Sequence, residues 1–258
     1  MKRLILIFLL TMSAPAHAGS LMSLFGRTQC FDLGVEPKTR IEACSKLLVD
    51  ATTDENAANI LMHRSLAFLG QGETEKAVED ANSAIRLTPT NGLFYLHRAR
   101  INLGRGKFSG VVKDYEKAVS LGEEQPLVSR TGYAIALERV DRIDESLGQF
   151  GIVEAHEDAA QLAELMPGYL YHFGRAYHKS GQLTAAIESY SRFIEKQPNR
   201  VNGFFMRGLA YEERGERSLA QIDYETAKKM LAENPNLGPL PGSEAARMID
   251  EAFERFNL

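Results

Sequence analysis

Residues 167–200, PGYLYHFGRAYHKSGQLTAAIESYSRFIEKQPNR, and the 34 residues after them, VNGFFMRGLAYEERGERSLAQIDYETAKKMLAEN at 201–234, carry the same marks at the same offsets. Gly174, Tyr177, Gly181, Ala186 and Tyr190 recur 34 residues later as Gly208, Tyr211, Gly215, Ala220 and Tyr224. A period of this length marks stacked helix-turn-helix units, none of which can bury its apolar face without a neighbour. The predicted fold class is all-α: an α-solenoid of stacked helix-turn-helix repeats.

The rest of the chain falls into register with this pair. Pro89 and Pro198 each close a helical stretch, and Gly72, Gly106, Gly181 and Gly215 each sit in a short turn between two apolar-periodic segments. Units follow near 58–91, 92–125, 127–160, 167–200 and 201–234, forming an array over 58–234. Residues 155–166, rich in Ala, Glu and Leu, stretch the spacing before Pro167 and are expected to lengthen a helix. NPNLGPLPG at 234–242 breaks the pattern. Ser243 then caps a last amphipathic helix, 243–256, with Met248, Ile249, Phe253 and Phe256 on one face, expected to solvate the exposed end of the array. Residues 21–54 read as a degenerate N-terminal repeat, with Ile41, Cys44 and Leu47 on the inner face of its second helix.

Residues 1–18, MKRLILIFLLTMSAPAHA, read as a secretory signal peptide cleaved after Ala18: Lys2 and Arg3 precede an apolar run that is too short to span a bilayer. The expected location is periplasmic or secreted, without a membrane span. Taking Lys2 and Arg3 from the 30 basic residues leaves 28 against 34 acidic ones, a formal charge of −6, which argues against nucleic acid as a partner. In an oxidising compartment two cysteines, Cys30 and Cys44, favour a disulfide, two buried thiols being the alternative.

With those residues in place, the chain resembles the tetratricopeptide-repeat family. Its pattern of a large residue, a small residue and an aromatic on the first helix, then Ala, an aromatic and Ala on the second, is met by Leu170, Gly174, Tyr177, Ala186, Tyr190 and Phe193, and again by Phe204, Gly208, Tyr211, Ala220, Tyr224 and Ala227. Residues 58–91 and 92–125 follow it and 127–160 departs from it. The Cys-bearing first unit also resembles those of secreted bacterial repeat proteins. The resemblance implies that small residues let paired helices approach, that aromatics fill the wedge between units, and that the first helices line a concave groove.

His63, His97 and His172 share the sixth position of their units and Arg100 and Arg175 the ninth; Tyr171, His178 and Phe205 are expected on or near the same surface. These eight residues form the candidate peptide-binding groove, suited to an extended, acidic segment because arginine offers a planar fork to carboxylates. Cytosolic family members hold carboxylates with Lys, Arg and Asn on these helices; the Lys and Asn of that clamp do not recur here. Arg64, Arg98 and Arg207, one position along, are expected to bond within the repeat. The histidines lie on successive helices, too far apart to converge on a metal.

No nucleophile elbow, phosphate loop, H-E-x-x-H or dinucleotide motif is present, so neither a catalytic residue nor a cofactor is assigned. The expected function is a non-enzymatic protein-protein interaction scaffold exported to the periplasm. Alternatives are a periplasmic chaperone for secreted clients and a peptidoglycan- or glycan-binding envelope protein.

Overall fold

A computed structural model describes residues 29–237 and 244–258. Signal-peptide residues 1–18 and the expected cap Ser243 lie outside them. The described chain forms two compact units, the first ending at Ile101 and the second beginning at Asn102. Among the described residues both units are all-α and consist of helix pairs packed side by side.

The first unit contains a helical turn at 29–31, then α1 (Pro37–Val49), α2 (Asp54–Gly70), α3 (Thr74–Leu87) and most of α4 (Gly92–Gly104). The second contains the end of α4, then α5 (Phe108–Ser120), α6 (Leu127–Arg139), α7 (Ile143–Glu154), α8 (Ala159–Leu165), α9 (Gly168–Lys179), α10 (Leu183–Lys196), α11 (Val201–Glu213), α12 (Arg217–Glu233), a 3-10 turn at Pro235–Leu237 and α13 (Glu244–Arg255).

One turn joins the two helices of every pair. Gly72, Gly106, Gly181 and Gly215 adopt φ between 67° and 85°, the left-handed conformation in which glycine has no Cβ to clash. The next residue's N–H then reaches back five residues to a carbonyl of the first helix: Glu73 to Phe68, Lys107 to Asn102, Arg142 to Leu137, Gln182 to Tyr177 and Glu216 to Tyr211, at 2.8–2.9 Å. This satisfies a carbonyl that the helix end would otherwise leave unpaired. In the third pair the left-handed position is held by Asp141, at φ 65°.

Close approach within a pair follows from small residues. Ser65 Oγ donates to the Ala77 carbonyl at 2.7 Å, and, with the roles of the two positions reversed, Ser146 Oγ donates to the Ala134 carbonyl at 2.8 Å. At the same place Gly174 and Gly208 admit an aromatic ring: a Cβ on either would lie 2.6 Å from Tyr190 or 2.8 Å from Tyr224. Phe150, Tyr190 and Tyr224, one for each pair that lies wholly in the second unit, and Tyr115 on α5 are at most 1% exposed.

Residues 155–166 do not lengthen α7. The chain turns after Glu154, where the Asp158 N–H donates to His156 Nδ1 at 3.1 Å, and a separate helix, α8, follows. Turning the chain lets Leu162 and Ala163 join Phe150, Val153, Tyr169 and Phe173 in one core, which a straight extension of α7 would not do. The last helix, α13, lays Ile249, Ala252 and Phe256 on Phe205 and Tyr224. Met248, expected on that inner face, is 41% exposed, and Ala252 takes the inward place.

Cys30 and Cys44 form a disulfide with Cα atoms 4.8 Å apart, tying the 29–31 turn to α1. Both sulfurs are buried with Ala43, Leu47 and Ile60. Closing a loop of this size removes entropy from the unfolded chain, so a Cys30→Ala, Cys44→Ala variant is expected to lose about 3 kcal/mol in the first unit. Denaturant titration of oxidised and variant protein checks this; identical midpoints would contradict it.

Candidate functional site

Helix α9 carries His172, Arg175 and Lys179 at spacings of three and four, one stripe along the helix. The stripe closes on a single carboxylate, that of Glu138 in the last turn of α6. His172 Nδ1 lies 3.1 Å from Oε2, and Arg175 Nη2 and Lys179 Nζ lie 3.1 and 3.3 Å from Oε1. Lys179 also donates to the Glu138 backbone carbonyl at 3.2 Å and to Asp141 Oδ1 at 3.1 Å. The Glu138 side chain is fully buried. Burial alone would raise its pKa, but the His172 hydrogen bond and the charges of Arg175, His172 and Lys179 outweigh burial and hold the carboxyl below its usual range. Oε1 is held by charge, for the two cations near it do not form an aligned hydrogen bond.

Beside this cluster lies an aromatic strip. The half-buried Tyr171 ring packs 5.5 Å from Phe193 and 6.1 Å from Tyr190, with the Arg175 guanidinium 5.9 Å from its centroid. His178 bridges α9 to its neighbours: Nε2 lies 3.1 Å from Glu213 Oε2 on α11, and Nδ1 lies 3.5 Å from the Tyr190 hydroxyl on α10. The structure thus brings four of the eight groove residues, Tyr171, His172, Arg175 and His178, onto α9. The Arg175 charge is not open, because Glu138 is already against it, and Glu213 lies against His178.

Two groove assignments are corrected. Phe205 is 5% exposed, because α13 covers it. His97 is 8% exposed, and its Nε2 lies 2.7 Å from Ser65 Oγ on α2. The Ser65 hydroxyl proton is committed to the Ala77 carbonyl, so His97 donates from Nε2. Burial first, then the charges of Arg100 and His63, push its pKa down to about 4. His63 is half-buried, edge-on to Phe31 with ring centroids 4.6 Å apart, and Arg100 is exposed on α4.

Glu138, Asp141 and Lys179 are the site residues that repeat positions alone do not pick out. The available signal was an acidic residue inside the apolar run AIALERV of a unit that departs from the repeat. The arginines one position along bond within the repeat. Arg64 grips Asp80 with two bonds of 2.8 and 2.7 Å, Arg207 grips Asp223 with two of 2.8 Å, and Arg98 donates to Asn82 at 2.7 Å.

Comparison with known proteins bears on the fold that carries these residues. A family model described as TPR repeat matches residues 174–215. A DnaJ homolog subfamily C member 7 homolog of Dictyostelium discoideum is 27% identical over 84 residues, 33% of this chain and 16% of that protein, so the likeness spans about a sixth of that relative's length. Among solved structures, YrrB, described as a TPR protein with an unusual peptide-binding site, superposes with a TM-score of 0.63 at 16% identity, covering 84% of this chain and all of that one. MamA from Desulfovibrio magneticus RS-1 gives 0.57 at 16% identity over 71% and 99% of the two chains. PilF of Pseudomonas aeruginosa gives 0.54 at 14% identity over 79% and 86%. At these identities the likeness to the solved structures is one of fold.

Proposed function

The chain is a tetratricopeptide-repeat protein, and on that premise we propose that it is a non-catalytic scaffold, exported to the periplasm, that holds an extended segment of a partner protein along the first-helix face of α9. One observation carries this reading. α9 is buried on its Tyr169, Leu170, Phe173 and Ala176 side, and keeps the partly buried Tyr171 beside Arg175, His172 and His178 on the other. Tyr171 packs on the core rings of Tyr190 and Phe193, and the part of its ring left open offers an aromatic surface, beside side-chain donors, to a peptide.

The partner's carboxylates share the α9 cations with Glu138, so they are recognised by added hydrogen bonds to a neutralised cluster. Salt should therefore weaken binding only modestly. The peptide-binding site ascribed to YrrB supports the class of ligand. Export is supported by the reading of residues 1–18 and by the Cys30–Cys44 bond, which persists in an oxidising compartment.

Because Arg175 also holds Glu138, the test uses Tyr171. A photoreactive phenylalanine analogue is placed at Tyr171 or, as control, at Ile152, 49% exposed on the second helix α7. Illumination in periplasmic extract should join one protein to the Tyr171 variant, through one contiguous segment whose synthetic peptide then competes. Equal capture by both variants, or capture through Ile152 alone, would remove the α9 face as the site.

A further inference from the structure

In the second unit, the twelfth residue of a repeat meets the first helix that comes after its own pair. Glu138 meets His172 and Arg175 on α9, each at 3.1 Å. His178 meets Glu213 on α11 at 3.1 Å. Glu212, 34 residues after His178, meets α13 instead. Arg255 donates to its two oxygens from Nε and Nη2, at 3.0 and 3.2 Å, and the Tyr224 hydroxyl donates to Oε2 at 2.7 Å. α13 therefore holds the place of a next first helix, although it follows a break in the period.

Its hold is one stripe. Ile249, Ala252 and Phe256 point inward at spacings of three and four, and Met248, Asp250, Glu251 and Glu254 stay exposed. The Phe256 ring lies 5.0 Å from that of Tyr224 and 4.4 Å from the Arg217 guanidinium, whose Nη2 donates to the Arg255 carbonyl at 3.0 Å. Beneath the stripe, Phe205, Leu209 and Tyr224 form an apolar face with the Glu212 carboxylate beside it. Such a face reads two features of a helix: apolar residues at i, i+3 and i+7, and an arginine at i+6 whose fork matches the carboxylate.

We propose that this face of α11 and α12 is a helix-docking site, held in cis by α13, and that it takes in place of α13 an amphipathic helix of a partner protein with the same pattern. The occupant is argued from complementarity, since a helix of that pattern already lies there. α12 ends at Glu233, with Pro235 after it, so α13 can leave without unwinding α12. The cis helix competes with the partner, whose apparent affinity falls by the fraction of molecules in which α13 is away. The assignment stands whatever binds α9.

A fluorescent synthetic peptide of residues 244–258 is the probe, titrated into the full chain and into its Phe256→Asp variant, in which α13 is displaced. The variant should bind the peptide saturably, and the wild type roughly ten-fold or more weakly, because its own helix competes. An Arg255→Glu peptide should bind the variant roughly ten-fold more weakly, and a further Glu212→Arg change in the protein should restore it. Absence of saturable binding by the variant would make α13 a fixed cap and end the proposal. Equal binding of the two peptides would overturn it as well, for the face would then be merely apolar. Should the variant not fold, hydrogen exchange of the unaltered chain decides. Amides of α13 exchanging roughly ten-fold or more faster than those of α11 and α12 support a helix that leaves by itself, and exchange in step with them overturns it.

Discussion

Replacing Tyr190 with alanine should lower the stability of the second unit by about 3–5 kcal/mol, the cost of removing a fully enclosed aromatic and leaving a cavity. The ring is 0% exposed, packs beside Tyr171 and His178, and rests on the bare Cα of Gly174. The same contact makes the converse change harmful. A Gly174→Ala Cβ would stand 2.6 Å from the ring, and a ring closed in on all sides cannot swing away. Overpacking of about 1–3 kcal/mol then exceeds the roughly 1 kcal/mol that alanine contributes to helix propensity. The two changes together should cost clearly less than their sum, since truncating the tyrosine makes room for the methyl. Urea unfolding of the two single variants and the double variant measures all three. An additive cycle would mean that the ring and the glycine do not share one site.

Arg207→Ala should be of comparable size, near the lower end of about 3–5 kcal/mol, because Arg207 keeps some contact with water. It leaves Asp223, with a side chain 3% exposed, as a buried charge without its fork, and it also removes the 3.0 Å bond to Ser191 on α10. Arg207→Lys should rescue only part of the loss, since an ammonium cannot make the two parallel bonds at once. Replacing both partners, Arg207→Met with Asp223→Leu, should be far milder than Arg207→Ala alone, because no charge is then stranded. Thermal denaturation of the three variants ranks them. A double variant as weak as Arg207→Ala would show that packing, not the ion pair, sets the cost.

Much of this architecture was legible in the sequence, because its marks serve the pair itself. Glycine at the left-handed turn, proline after the second helix and small residues between the helices are local requirements and repeat with the period. The arginines Arg64 and Arg207 were legible for the same reason, as each bonds within its own pair. Repeat position does not reveal what lies opposite in the neighbouring pair. His97 and His172 share a position, yet one meets Ser65 and the other Glu138. Phe205 sits where a first-helix residue should face a groove, and it is covered by α13, a helix that follows a break in the period. The turn that starts α8 was hidden because its residues are helix-prone, and only the burial of Leu162 and Ala163 explains why the chain changes direction.

Asp141 carries a wider consequence. Its backbone adopts φ 65°, where four other pairs place glycine, and an L side chain there holds the turn at some conformational expense. What that side chain does is reach Lys179 at 3.1 Å, three residues along the chain from Glu138. The pair that departs most from the repeat is thus the one that delivers two carboxylates to α9. In a modular chain of this kind, a lapse in the motif can act as an address: it marks the one rung wired differently from the rest.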